Sequence, residues 1–133
     1  MPTRIALITL LTDNLAEMVT FYRDALHFNV RNDHGGNVEF DSEGVRFALC
    51  ERRILHELTA NDGYAQPADG HAFELAFQYG SRDEVNAAYK GITAKGARAI
   101  SAPREMPWGQ YTGFFADPDG NIHEVYCDPQ DES

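Results

Sequence analysis

The chain states one pattern twice. Between Asp13 and Leu26 the apolar residues Leu15, Met18, Val19 and Tyr22 fall at i, i+3, i+4 and i+7, the spacing of one buried helix face. Val85, Ala88, Tyr89 and Ile92 repeat that spacing 70 positions later (85 minus 15 through 92 minus 22), and Asp83 stands in the same relation to Asp13. A strand-like run precedes each helix, Ile5 to Leu11 and Ala72 to Gln78. Three short strand candidates follow each: Phe28 to Val30, Val38 to Phe40 and Val45 to Cys50 in the first unit, and Arg98 to Ser101, Tyr111 to Phe115 and Ile122 to Tyr126 in the second. A strand, a helix and three strands, given twice, predict an α+β fold built from two like modules.

Local chemistry supports the division. Asp117-Pro118-Asp119-Gly120-Asn121 is a tight turn, with Pro fixing φ and Gly and Asn tolerating positive φ; Asp41-Ser42-Glu43-Gly44 holds its place in the first unit. Ser81 and Glu84 form a capping box that starts the second helix, and Gly96 is placed to stop it. Between the modules lie a helical turn over Arg52 to Leu58 and the turn-rich Asn61-Asp62-Gly63 and Gln66-Pro67-Ala68-Asp69-Gly70. The 133 residues make one domain, since neither half buries enough surface to be comfortable alone. The expected bounds are module 1 over about 4–51, a linker over about 52–70, module 2 over about 71–128 and a disordered tail over about 129–133.

A formal charge of −10 argues against phosphate-backbone binding, which needs clustered Lys and Arg, so no nucleic-acid partner is expected. The apolar run through Leu11 is too short for a signal-peptide core or a membrane span, which gives the expectation of a cytoplasmic protein with no membrane partner. Cys50 and Cys127 lack C-x-x-C spacing and read as free, buried thiols.

Strand parity sorts the remaining candidates. Along Ala72 to Gln78, Phe73, Leu75 and Phe77 share one face and Glu74, Ala76 and Gln78 the other; along the last strand Ile122, Glu124 and Tyr126 oppose His123, Val125 and Cys127. A single strand glutamate is ordinarily a solvated edge residue, but two on adjoining strands can face one cavity. Trp108, the one tryptophan, sits in a loop with Gln110 before the strand that begins at Tyr111; it reads either as a lid on the core or as a ligand-stacking residue. His71 and His123 have the opposite parity to the glutamates. A Gly-rich phosphate loop, an H-E-x-x-H pair and a G-x-S-x-G elbow are missing from the sequence.

The doubled unit, Phe21-Tyr22 on the first helix, the phrase Phe73-Glu74-Leu75-Ala76-Phe77 and the ending Asp117-Pro118-Asp119-Gly120-Asn121-Ile122-His123-Glu124 together resemble the vicinal oxygen chelate superfamily of glyoxalase I, extradiol dioxygenases and bleomycin-resistance proteins. The resemblance implies two βαβββ modules forming an open, cup-like mixed β-sheet with helices outside, and a homodimer. Metal-using members place one ligand on the first and one on the last strand of each module. By position these are Glu74 and Glu124 in the second module but Ala6 and Ala48 in the first, and alanine ligates nothing.

A catalytic divalent metal usually takes about three protein ligands, so no metal and no other cofactor is favoured. The nearest resemblance is then to the bleomycin-resistance-like branch, which binds a small molecule, here one that carboxylates would favour if cationic. Glu74, Trp108, Gln110, Tyr111 and Glu124 are the candidate ligand-binding residues. The alternative is a glyoxalase-like lyase or isomerase, in which Glu74 and Glu124 bind a divalent metal and one of them moves a proton; a further alternative is a scaffold with a silent pocket.

Overall fold

The computed structural model describes residues 2–129. Of the tail expected over 129–133, residues 130–133 lie outside the described residues. The chain divides between Asp69 and Gly70 into two compact units, so nearly all of the stretch expected as a linker belongs to the first.

The first unit runs β1 (Leu7–Thr12), α1 (Leu15–Asp24), β2 (Val30–Asp33), β3 (Asn37–Phe40), β4 (Arg46–Glu51) and α2 (Arg52–Thr59), followed by a 3₁₀ turn over Asp62–Tyr64. The second runs β5 (Ala76–Gln78), α3 (Arg82–Ala94), β6 (Arg98–Glu105), β7 (Tyr111–Ala116) and β8 (Ile122–Cys127). Each sheet is open, mixed and four-stranded, in the orders β1-β4-β3-β2 and β5-β8-β7-β6, and in each the first strand lies parallel to the last. The α+β class and the two like modules are as the sequence predicts.

The repeat itself needs one correction. Buried positions on α1 are Met18, Phe21, Tyr22 and, at its C-terminal end, Ala25; on α3 they are Val85, Tyr89 and Ile92, with Ala88 half-buried. These match at a shift of 67 (85 minus 18, 89 minus 22, 92 minus 25), and the helix starts, Leu15 and Arg82, obey the same shift. The apparent shift of 70 differs by three residues, close to one helical turn, and an i, i+3, i+4, i+7 pattern looks alike after such a slip. Strands β4 and β8 match through Gly44 and Gly120, both at positive φ (85° and 89°) in equivalent turns. Ala48 therefore does stand in the place of Glu124. Ala48 pairs with Thr9 and Glu124 with Ala76, so two residues ahead on each strand Leu7, not Ala6, is the counterpart of Glu74.

Other boundaries moved for local reasons. β2 begins at Val30 and continues through Arg31, Asn32 and Asp33; it is an exposed edge strand that carries no hydrophobic signal of its own. β6 runs on past Ser101 to Glu105 through Pro103, with irregular register on either side of Ser101; an edge strand tolerates a proline that a central one would not. β5 is shorter than the run Ala72 to Gln78, and Phe73 is 62% exposed. Each unit has its own core. In the first, the Tyr22 ring meets Phe47 at 5.3 Å, and Phe28 and Phe40 meet Phe47 at 5.4 and 5.6 Å. In the second, Val85, Tyr89 and Ile92 of α3 are buried with Phe115, Val125 and Cys127, as α3 packs over β7 and β8. Cys50 and Cys127 are free and buried.

Candidate functional site

The site rests on how the second sheet is locked. At the β7–β8 turn Asp117 is buried; its Oδ1 accepts from the backbone N–H groups of Asp119 and Asn121 at 3.0 and 2.9 Å, and its Oδ2 accepts from Asn121 Nδ2 at 2.9 Å. These bonds fix the D-P-D-G-N turn and hence where β8 begins. β8 then grips the peptide after Glu74 from both sides: the Leu75 N–H donates to His123 Nδ1 at 3.1 Å, and the Leu75 carbonyl accepts from the Glu124 N–H at 2.9 Å. With Nδ1 accepting, the ring proton lies on Nε2, which faces Asp117 Oδ2 at 3.6 Å. His123, 1% exposed, is thus a positioning residue. Its parity excluded it as a ligand contact, but sequence alone carried no signal of this bridging role.

Glu74, two residues ahead of β5, and Glu124 on β8 are diagonal neighbours on the face turned away from α3, close enough for the Glu74 carboxyl to bear on that of Glu124. Burial first, then the Glu74 carboxyl, push the Glu124 carboxyl up to about 7. Near neutral pH the Glu124 carboxyl is therefore about half protonated. Elsewhere in this unit Arg82 pairs with Glu105, and His123 Nε2 stands beside Asp117.

Along the same face come Tyr126 and, just past the end of β8, Asp128. Gln78 pairs with Tyr126 in the register, and Gln78 Nε2 donates to Asp128 Oδ2 at 3.0 Å. Gln110 Nε2 donates to the other oxygen, Oδ1, at 3.0 Å, and Trp108 Nε1 donates to Gln110 Oε1 at 3.1 Å. The Tyr126 hydroxyl is pushed above its ordinary pKa by burial first and then by the charges of Asp128 and Glu124, which places it between the two acidic points. Trp108 is 67% exposed, so it is not a lid on the core. The structure therefore links Trp108 to Asp128 through Gln110, and sets Glu74 and Glu124 on the same face.

Tyr111 is set apart. Its register partner is Cys127, on the α3 side of the sheet; its hydroxyl hydrogen-bonds Asn86 Oδ1 at 2.8 Å, and the Arg82 guanidinium lies 4.7 Å from its ring centroid. Tyr111 therefore lies on the other face of the sheet from Glu124. Asp128 was missed because it lies just past the strand and belongs to no motif.

Glu74 and Glu124 alone fall short of the about three protein ligands that a catalytic divalent metal usually takes. Two carboxyls adjoin in the second unit, whereas Leu7 and Ala48 offer no donor atom in the first. Among the described residues no group of three or more His, Cys, Asp or Glu is placed to hold an ion.

The model of the Glyoxalase/Bleomycin resistance protein/Dioxygenase superfamily matches residues 4–125, and the chain belongs to that superfamily. Among solved structures, a glyoxalase/bleomycin resistance protein/dioxygenase from Nocardioides is 25% identical, with 98% of this chain and 86% of that chain covered and a TM-score of 0.85. A family enzyme of the same description from Burkholderia phytofirmans PsJN is 19% identical, covering 94% and 98%, with a TM-score of 0.86. A lactoylglutathione lyase from Agrobacterium tumefaciens is 23% identical, covering 95% and 94%, with a TM-score of 0.70. No curated protein matches the chain. Among the described residues no helix is long and apolar enough to cross a membrane.

Proposed function

We propose that the protein binds a small organic cation on the face of its second sheet that carries Glu74 and Glu124, in the manner of the bleomycin-resistance-like members, and sequesters it without a protein-held metal. One observation carries the reading: Glu74 and Glu124 stand as diagonal neighbours, and burial with the Glu74 carboxyl raises Glu124 to about 7, so that it holds a proton over part of the neutral range. A ligand ammonium or amidinium brought to the pair replaces that proton and makes charge-assisted hydrogen bonds to both groups. The exposed indole of Trp108 adds a surface for the ligand's apolar or aromatic part.

The raised Glu124 value also supports a second reading, metal-independent acid–base catalysis, in which a carboxyl titrating near 7 takes and returns a proton on a bound carbonyl compound. One experiment separates the readings. Thermal unfolding at pH 8 is followed with a panel of organic amines, amidines and their neutral analogues, in the wild type and in Glu74→Gln and Glu124→Gln. Stabilisation by cations alone, reduced about tenfold or more in affinity by either substitution, supports binding. Stabilisation by neutral carbonyl compounds, with turnover that follows a group titrating near pH 7, supports catalysis. Titration with Mn²⁺, Ni²⁺, Zn²⁺ and Mg²⁺ completes the panel; stoichiometric uptake of an ion with gain of activity overturns both.

A further inference from the structure

Thr112 is 1% exposed, and its Oγ1 is buried without a hydrogen-bond partner among the described residues. Such an orphan is uncommon, because a buried hydroxyl deprived of water loses free energy that a partner would restore. Its position is informative. Thr112 pairs across the strands with Tyr126, which pairs with Gln78, so the three form one row on the face that bears Glu124. One step along β7 and β8, Gln110 and Asp128 form the next row, joined by their 3.0 Å bond. Thr112 and Asp128 are thus diagonal neighbours, about 7–8 Å apart in a regular sheet.

Asp128 is exposed and accepts one amide donor on each oxygen, from Gln110 and Gln78. An ionised carboxylate has about four lone-pair sites, so one on each oxygen stays open. The pairing of Gln110 with both Asp128 and Trp108 holds the indole beside the carboxylate in one orientation. A planar acceptor, an aromatic plate and an orphan oxygen together suit a cation that is itself flat and carries several N–H groups. An ammonium ion would fit less well, being a compact point charge with nothing to lay on the ring.

We propose that Asp128, Trp108 and Thr112 form a recognition point for a flat amidinium or guanidinium head, separate from the Glu74–Glu124 pair. The inference rests on the reading that this face binds a small molecule, and it names the class of ligand. The head lies on Trp108 and donates to both Asp128 oxygens, and Thr112 Oγ1 accepts a further N–H. Glu124 lies four residues back along the chain, about 13 Å in extended backbone, so a ligand touching both points is elongated, with a second donor group at its far end.

The test uses benzamidine as the probe and its neutral analogue benzamide as the control. Trp108 is the only tryptophan of the chain, so its fluorescence reports on this point alone. Benzamidine is expected to change the emission saturably below about 10 mM and benzamide not to. Asp128→Asn is expected to weaken benzamidine by about tenfold or more, as loss of a charge-assisted pair does. Thr112→Val is expected to weaken it severalfold while leaving the melting temperature of the free protein equal or higher, since the substitution removes an unsatisfied group; a merely structural hydroxyl would lower that temperature instead. Equal responses to benzamidine and benzamide, no saturable response, or an unchanged affinity in Asp128→Asn would each overturn the proposal. Affinity kept in Asp128→Asn but lost in Glu74→Gln would put the cation on the carboxyl pair, overturning this inference while sparing the broader reading.

Discussion

The two sheets share a topology and differ in what their equivalent faces do with charge. In the first unit a single carboxylate, Glu39, is 7% exposed and takes a forked pair of bonds from Arg46 at 2.7 and 3.0 Å. In the second, the register puts Phe114 where Glu39 would stand and Ile122 where Arg46 would stand, while Glu74 and Glu124 replace Leu7 and Ala48. One face has balanced its charge internally; the other holds two acids and no base in the matching place. The pair of sheets shows how one fold accommodates a structural ion pair and an unbalanced pair of acids by exchanging four side chains.

The contrast belongs to the faces and not to the cores, and the largest effects test that. Phe47 and Phe115 are buried on the helix-facing sides of their sheets, and Phe47→Ala and Phe115→Ala should each cost about 3–5 kcal/mol in chemical denaturation. A cost below about 1 kcal/mol in one unit alone would show that the two are not comparable scaffolds.

The faces should also respond oppositely to pH. Bonding to Arg46 holds the Glu39 carboxyl below its usual value, so its stabilisation is present above the unfolded carboxyl pKa and lost as pH falls through the lower folded one. Glu124 is raised, from 4.5 to about 7. Below 4.5 it is protonated in both states and costs nothing; as pH rises toward about 7 the unfolded chain ionises first, and stability is lost. Glu124→Gln should therefore gain on the wild type between those values and stay about 1–2 kcal/mol more stable above them, allowing for solvent screening at a partly exposed group. Ile122→Arg, which copies Arg46 and stands beside Glu74, should abolish most of the same pH dependence. A flat difference between Glu124→Gln and wild type from pH 4 to 8 would break the comparison.

Much of this was legible in the sequence because the relevant signals are periodic. Strand parity placed Glu74 with Gln78 and Glu124 with Tyr126, and the turn Asp117 to Asn121 was recognisable from its chemistry. The repeat was found at a shift wrong by nearly one helical turn because helix periodicity is blind to such a slip; only strand register exposes it. Tyr111 adjoins Gln110 in sequence, but its parity points it toward α3. His123 and Asp128 act through bonds to residues distant in sequence, 48 positions in the case of Leu75, and no local pattern announces them.

The helix starts offer the smallest contrast. Ser81 accepts from the Glu84 N–H at 3.1 Å, and Glu84 reaches back to the Gly80 N–H at 2.7 Å, whereas the side chain of Asn14 makes no cap bond to α1. Ser81→Ala should cost about 1 kcal/mol and Asn14→Ala only a few tenths, read as midpoint shifts in urea. Equal losses would mean that the sequence-level capping box adds nothing to α3.

The central claim, that Glu74 and Glu124 form an unbalanced pair in which the Glu124 carboxyl is raised to about 7, is tested most directly by carbon-detected NMR titration of the glutamate side-chain carboxyls from pH 3 to 9. The account predicts one glutamate signal in the wild type titrating near 7, absent in Glu124→Gln and moved toward the ordinary range in Glu74→Gln. A wild type in which every glutamate titrates below about 5 would contradict it.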